Sequence, residues 1–227
     1  MKIDELRGGW PEQILTGRYT FRTRRRDFLA AIPGGIVEEL SGLDATPGNE
    51  QLHVRIDDRS VMVVMRDRHR AWAPAPAGPK VCGIDQPGPL LSLLRRPRTG
   101  AGSQSWLAPR VSDVLDNRLG MVIGTLHTTG GVVRPTRTVI TDPDGRVAGF
   151  MSQSLLSWAC QPPQSFMGFR MLRFTFTVEG RRVAHLRHSS RRFAKEFRAD
   201  VSRAGGLLDP RLILACAIEQ LAKFSSY

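Results

Sequence analysis

The sequence predicts a mainly β fold in which a closed or nearly closed antiparallel sheet surrounds one hydrophobic helix near the C-terminus. Two observations carry this. Much of the chain alternates apolar and polar residues in short runs separated by turn residues, as where Phe174, Phe176 and Val178 share one face of a strand. Residues 212–218, Leu-Ile-Leu-Ala-Cys-Ala-Ile, lie in the one segment with an unambiguous helix signature and show no polar face. A two-layer stack leaves one helix face wet, whereas a closed sheet supplies apolar partners all round. A length of 227 residues, 41% of them hydrophobic, suffices for a single domain spanning 1–227.

Taken in order, residues 17–26 alternate Tyr19 and Phe21 with polar side chains, read as a strand, and end in Arg24, Arg25 and Arg26. Residues 27–39 open a short helix that Pro33-Gly34-Gly35 breaks. Residues 51–57 and 60–66, rich in Val, Ile and Met, read as a hairpin. The stretch 72–102 holds six Pro and five Gly, so a long Pro/Gly-rich loop is expected over about 72–110. Residues 119–128 and 137–141 read as strands, and Asp142-Pro143-Asp144-Gly145 turns the chain back through 146–153. The same plan recurs at 171–178, turn Glu179-Gly180, and 183–187. A faint repeat spaced about 35 residues apart results. Residues 196–202 form a further strand. Asp209 as N-cap and Pro210 in the first helical position start the helix, expected to run from 210 to about 223.

Lys plus Arg number 33 against 21 Asp plus Glu, a net charge of +12, and only four of the 33 are Lys. GC-rich codon usage produces part of an arginine excess; it does not produce the shortage of acids. The charge bears on anionic partners and association, not on fold. Three cysteines, Cys82, Cys160 and Cys216, have no spacing that suggests a disulfide framework or zinc module, so a reducing, cytoplasmic setting is expected. The longest strictly apolar run, 212–218, is far short of the roughly 20 residues a membrane-spanning helix needs.

The run from Phe174 through Val178, Glu179-Gly180-Arg181-Arg182-Val183-Ala184 and His188, then Phe197 to Val201, then Leu208 to Ile218, resembles the C-terminal part of the phospholipid scramblase and LURP-one-related group of the Tubby C-terminal-like superfamily. Ile123-Gly124 and the unit from Arg137 to Gly149, with its Asp144-Gly145 turn, fit the preceding repeat. The resemblance covers residues 119–227. It implies a twelve-stranded antiparallel barrel threaded by a buried near-C-terminal helix, and a non-enzymatic protein whose relatives bind phosphoinositides or other anionic lipids at a membrane surface, scramble lipid, or have no established activity. Two features of the scramblases are missing: there is no Cys-rich palmitoylation cluster and no complete calcium loop. Gly145 falls where an EF-hand loop needs a spacer, and the closing Glu is lacking.

Strand alternation from Arg181 places Arg181, Val183, His185 and Arg187 on one face and Ala184 and Leu186 on the other. With Ala184 and Leu186 turned to the helix, the Arg-bearing face is outside. Arg191, Arg192, Lys195 and Arg198 follow closely. Guanidinium groups suit phosphate because each donates two parallel hydrogen bonds. A second basic group comprises Arg18, Arg22, Arg24, Arg25 and Arg26 with Tyr19, Phe21 and Phe28 interleaved. Both groups also fit an ordinary solvated barrel exterior. The expected function is therefore a cytoplasmic, peripherally membrane-attached module for anionic phospholipid headgroups or another polyanion. A basic barrel that binds nucleic acid by stacking and phosphate contact is the alternative. The five histidines are scattered, and no nucleophile elbow, phosphate loop or Cys–His pairing is readable. Neither catalytic residues, a metal nor a cofactor is expected.

Overall fold

The computed structural model describes residues 10, 12–23, 49–56, 59–67, 77–84, 88–97, 110–130, 134–159, 173–191 and 194–224. Its elements are α1 (Glu12–Thr16), β1 (Arg18–Thr23), β2 (Asn49–Ile56), β3 (Arg59–Asp67), β4 (Ala77–Gly83), β5 (Pro89–Arg95), β6 (Arg110–Asp116), β7 (Met121–Thr129), β8 (Arg137–Thr141), β9 (Val147–Gln153), α2 (Leu155–Ala159), β10 (Arg173–Val178), β11 (Arg181–Arg191), β12 (Ala194–Asp200) and α3 (Pro210–Phe224). The twelve strands make one closed barrel, each pairing antiparallel with its neighbours in sequence, and β1 closes on β12. The expected barrel and its near-C-terminal helix are both present.

Alternation assigns the faces. Tyr19, Ala199, Leu186 and Phe174 stand opposite one another on β1, β12, β11 and β10, and all four are buried. Phe21 and Phe197 face each other in the next inward row, also buried. Among the outward positions between them are Thr20, Thr175, His185, Arg187 and Arg198, half-buried or exposed. Apolar inside and polar outside is the reverse of a membrane-spanning barrel. No described helix is long and apolar enough to cross a membrane.

The helix α3 has the expected start. Asp209 Oδ1 accepts the Arg211 amide at 2.9 Å, and the Asp209 carbonyl accepts the Leu212 amide at 3.0 Å. Residues 210–220 are all buried, polar ones included. Arg211 donates through Nη1 to Asp116 Oδ2 at 2.5 Å and through Nη2 to Asp209 Oδ2 at 2.6 Å. Two turns further on, Glu219 accepts from Ser112 Oγ at 3.3 Å and Thr128 Oγ1 at 2.9 Å. With the Thr128 proton committed to Glu219, Thr138 donates to Thr128 at 2.9 Å. Eight helical residues rise about 12 Å and the four strand residues from Ser112 to Asp116 about 13 Å. The two polar groups therefore index α3 along β6, and β6 turns polar residues inward to meet them.

Gly124 lets the helix approach. A Cβ there would lie 2.5 Å from the Thr141 carbonyl oxygen and 2.9 Å from Leu212 Cδ2. Any side chain at this position collides with both β8 and α3.

The long loop expected over about 72–110 is corrected: β4 and β5 lie within it. The prolines are placed where strands tolerate them. Pro79 falls at the register shift between Ala77 and Lys80, and Pro89 is the first residue of β5, positions where no ladder donor is missed. Leu90, Leu91 and Leu93 then fill the core. The broken helix over 27–39 lies outside the described residues.

Candidate anion-binding surface

The outer face of β10, β11, β12 and β1 is built by register. Arg187 stands directly opposite Arg173 on one side and Arg198 on the other. Arg198 in turn faces Thr20. All three arginines are exposed. Directly opposed residues on adjacent strands are about 5 Å apart, and like charges so placed repel. Arg173 and Arg187 make no ion pair with any described residue.

The neighbouring outward row runs Thr175, His185, Asp200, Arg18. Arg18 Nε donates to Asp200 Oδ2 at 2.8 Å. Burial pushes the Asp200 carboxyl up, but the hydroxyl and amide of Ser202 together with Arg18 outweigh it, and the group lies below the usual carboxylate range. Burial lowers the His185 imidazole, and Arg187 lowers it further; Asp200 opposes them, while Arg18 and Arg203 add to the lowering. At neutral pH His185 is an uncharged member of a positive surface.

The sequence-derived residues divide accordingly. His185 and Arg187 are on the outer face as expected, half-buried and exposed respectively. Arg181 is not on that face, which corrects the stripe. A register shift between Phe176 and Thr177 pairs Phe176 with Ala184 but Thr177 with Arg182, leaving Val183 as the extra, buried residue of a bulge. Arg181 consequently stands opposite Val178, beyond the tight turn in which Glu179 (φ 48°) and Gly180 (φ 77°) are both left-handed. It is exposed at the barrel end, and Arg182 takes the outward parity. Arg191 and Lys195 are strand residues of β11 and β12, opposite Ala194 and Ser190; of their side chains nothing is described. Arg24, Arg25, Arg26 and Arg192 lie outside the described residues.

Barrel closure adds what the sequence held apart. Pairing of β1 with β12 sets Arg18 beside Asp200, 182 residues away, and so brings Arg18 of the N-terminal basic group to the C-terminal one. Arg173 was missed because it precedes the alternating Phe174–Val178 run, with no neighbouring charge to mark it. A requirement that the first strand of a closed barrel pair with the last is the signal that brings Arg18 to the C-terminal group.

Tyr19 and Phe21 are buried inside the barrel, their rings edge to face at 5.4 Å, and no stacking platform forms from them. The Tyr19 hydroxyl is pushed well up, first by burial and then by Cys216. Burial raises the Cys82 thiol, against the pull of Lys80. Among the described residues no group of three His, Cys, Asp or Glu side chains converges as a metal site. No protein-family model, curated protein or solved structure matches the chain.

Proposed function

We propose that the protein is a non-enzymatic, scramblase-like or LURP-one-like module that binds the phosphates of anionic phospholipid headgroups at the cytoplasmic face of a membrane. One observation carries the reading: Arg173, Arg187 and Arg198 are held in one outward row on adjacent strands, beside Arg18 and His185. Phosphate oxygens relieve the repulsion between the facing Arg173 and Arg187, and guanidinium pairs match them in geometry. The resemblance of residues 119–227 to the scramblase and LURP-one-related group supports the same class of ligand. Against nucleic acid, the rings of Tyr19 and Phe21 are turned into the core, so neither offers a single strand a surface to stack on.

Vesicle flotation tests the proposal. Recovery with phosphatidylcholine vesicles containing phosphatidylserine should exceed that with phosphatidylcholine alone and fall as salt rises. Replacing Arg173, Arg187 and Arg198 together by Gln should weaken the partition by about two orders of magnitude at low salt, at roughly 1 kcal/mol per charge. Equal recovery with neutral and anionic vesicles overturns the reading. Single-stranded oligonucleotide should bind weakly, without sequence preference, and release near physiological salt; sub-micromolar affinity surviving there would place nucleic acid ahead of lipid.

A further inference from the structure

In a barrel whose strands alternate in direction, every second connection lies at the same end. The β2–β3, β4–β5, β6–β7, β8–β9 and β10–β11 turns share one end with the loop between β12 and α3. Six of the eight exposed large hydrophobic side chains among the described residues fall at this end: Ile84, Leu119, Met121, Val122, Val147 and Leu207. The other two, Leu155 and Leu156 of α2, follow β9 at the opposite end.

Around the arc from the β6–β7 turn to the β12–α3 loop, three of the four connections combine an apolar residue with an arginine. Arg118 precedes Leu119, Arg146 precedes Val147, and Arg203 shares the last loop with Leu207; Arg181 and Arg182 flank the fourth turn. All five arginines are exposed, against exposed Asp144 and Glu179. The acids Asp57, Asp58 and Asp85 belong to the β2–β3 and β4–β5 connections, outside this arc and outside the described residues. Leu119, Val147 and Leu207 are 53%, 57% and 51% exposed. They are single aliphatic residues on separate turns. A flat apolar boundary suits them better than a peptide or helix, which needs a continuous groove. A second copy placed end to end would set arginine against arginine. Aliphatic tips also give nucleic-acid bases nothing to stack on.

We propose that this arc is the membrane-entering end of the molecule. Leu119, Met121, Val122, Val147 and Leu207 enter the interfacial layer of an anionic phospholipid bilayer while Arg118, Arg146, Arg181, Arg182 and Arg203 engage the surrounding phosphates. The inference rests on the lipid reading above and adds an orientation and an apolar component to it. The arginine row adjoins this end through Arg203 and Arg18, both of which act on His185.

The test uses the full chain and vesicles of phosphatidylcholine with one third phosphatidylserine, at low and at high salt. Leu119→Ser, Val147→Ser and Leu207→Ser combined leaves every charge in place and changes only exposed positions; an unaltered thermal melt establishes that the variant is folded. The expected result is a loss of partition of at least about tenfold, with the residual high-salt binding of the wild type abolished. Leu155→Ser with Leu156→Ser, at the opposite end, should leave binding unchanged. If the triple variant matches the wild type at both salt concentrations while the Arg→Gln variant loses binding, the end-on insertion is overturned and headgroup binding stands. A loss in the Leu155/Leu156 variant as large as in the triple variant also overturns the orientation. Failure of the wild type to bind anionic vesicles overturns both.

Discussion

Arg211 shows how a single side chain fixes the helix inside its barrel. It is 1% exposed and faces two carboxylates, Asp116 and Asp209, one at the end of β6 and one at the helix cap. Removing one partner of a buried pair leaves the other charge uncompensated, so Arg211→Met should cost about 3–5 kcal/mol in urea unfolding. A loss below about 1 kcal/mol would mean that water reaches the carboxylates. His185 offers a separate measurement. Its imidazole is lowered in the folded protein, so below the ordinary histidine value of about 6.5 the unfolded chain binds the proton more readily than the folded one. Stability therefore falls on acidification, beginning near the unfolded value and completing below the folded one. His185→Gln should remove this component from the melting temperature's pH dependence. In NMR titrations the His185 value should move upward on adding inositol hexakisphosphate, because a neighbouring anion favours the imidazolium. No movement would separate the histidine from the anion surface.

At the scale of elements, the part of the fold legible in the sequence is the part in which local pattern and burial agree. The helix was marked by a cap, a proline and an apolar run, and Ala217, fully buried within it, gives the sharpest check. Ala217→Asp places a charge in a dry core and should prevent cooperative folding; soluble protein with a normal melt would contradict enclosure of the helix. The β8–β9 and β10–β11 hairpins were legible for similar reasons, since Phe174, Phe176 and Val178 all face inward. By contrast, β6 turns Ser112 and Asp116 inward, so its apolar period is broken by residues whose partners, Glu219 and Arg211, are about a hundred positions away. No local pattern can register that compensation. In β4, Pro79 at a register shift disguises a strand as a loop. The candidate site suffered from the same cause: the bulge at Val183 reverses the parity of everything before it, and strict alternation put Arg181 on the wrong face.

For the whole molecule, closure is the feature that brings Arg18 onto the C-terminal basic surface, and it depends on β1. This strand pairs with β12 through five register positions, Arg18 to Arg22, and with β2 through four, Thr20 to Thr23. It also contributes Tyr19 and Phe21 to the core. Without β1 the sheet has two long edges, β2 and β12, whose unpaired backbone groups invite association between chains, and the arginine row loses the strand that carries Arg18. Pairing between segments some 180 residues apart is also the costliest contact for a folding chain to make, so closure is expected to come late. Deleting the chain through Thr23 should therefore give a product that aggregates and lacks a cooperative melt, and adding a synthetic peptide of residues 10–23 during refolding should recover soluble protein by completing the barrel. A truncated chain that stays monomeric and unfolds cooperatively, with unchanged partition onto anionic vesicles, would show that neither the fold nor the anion surface needs the closing strand.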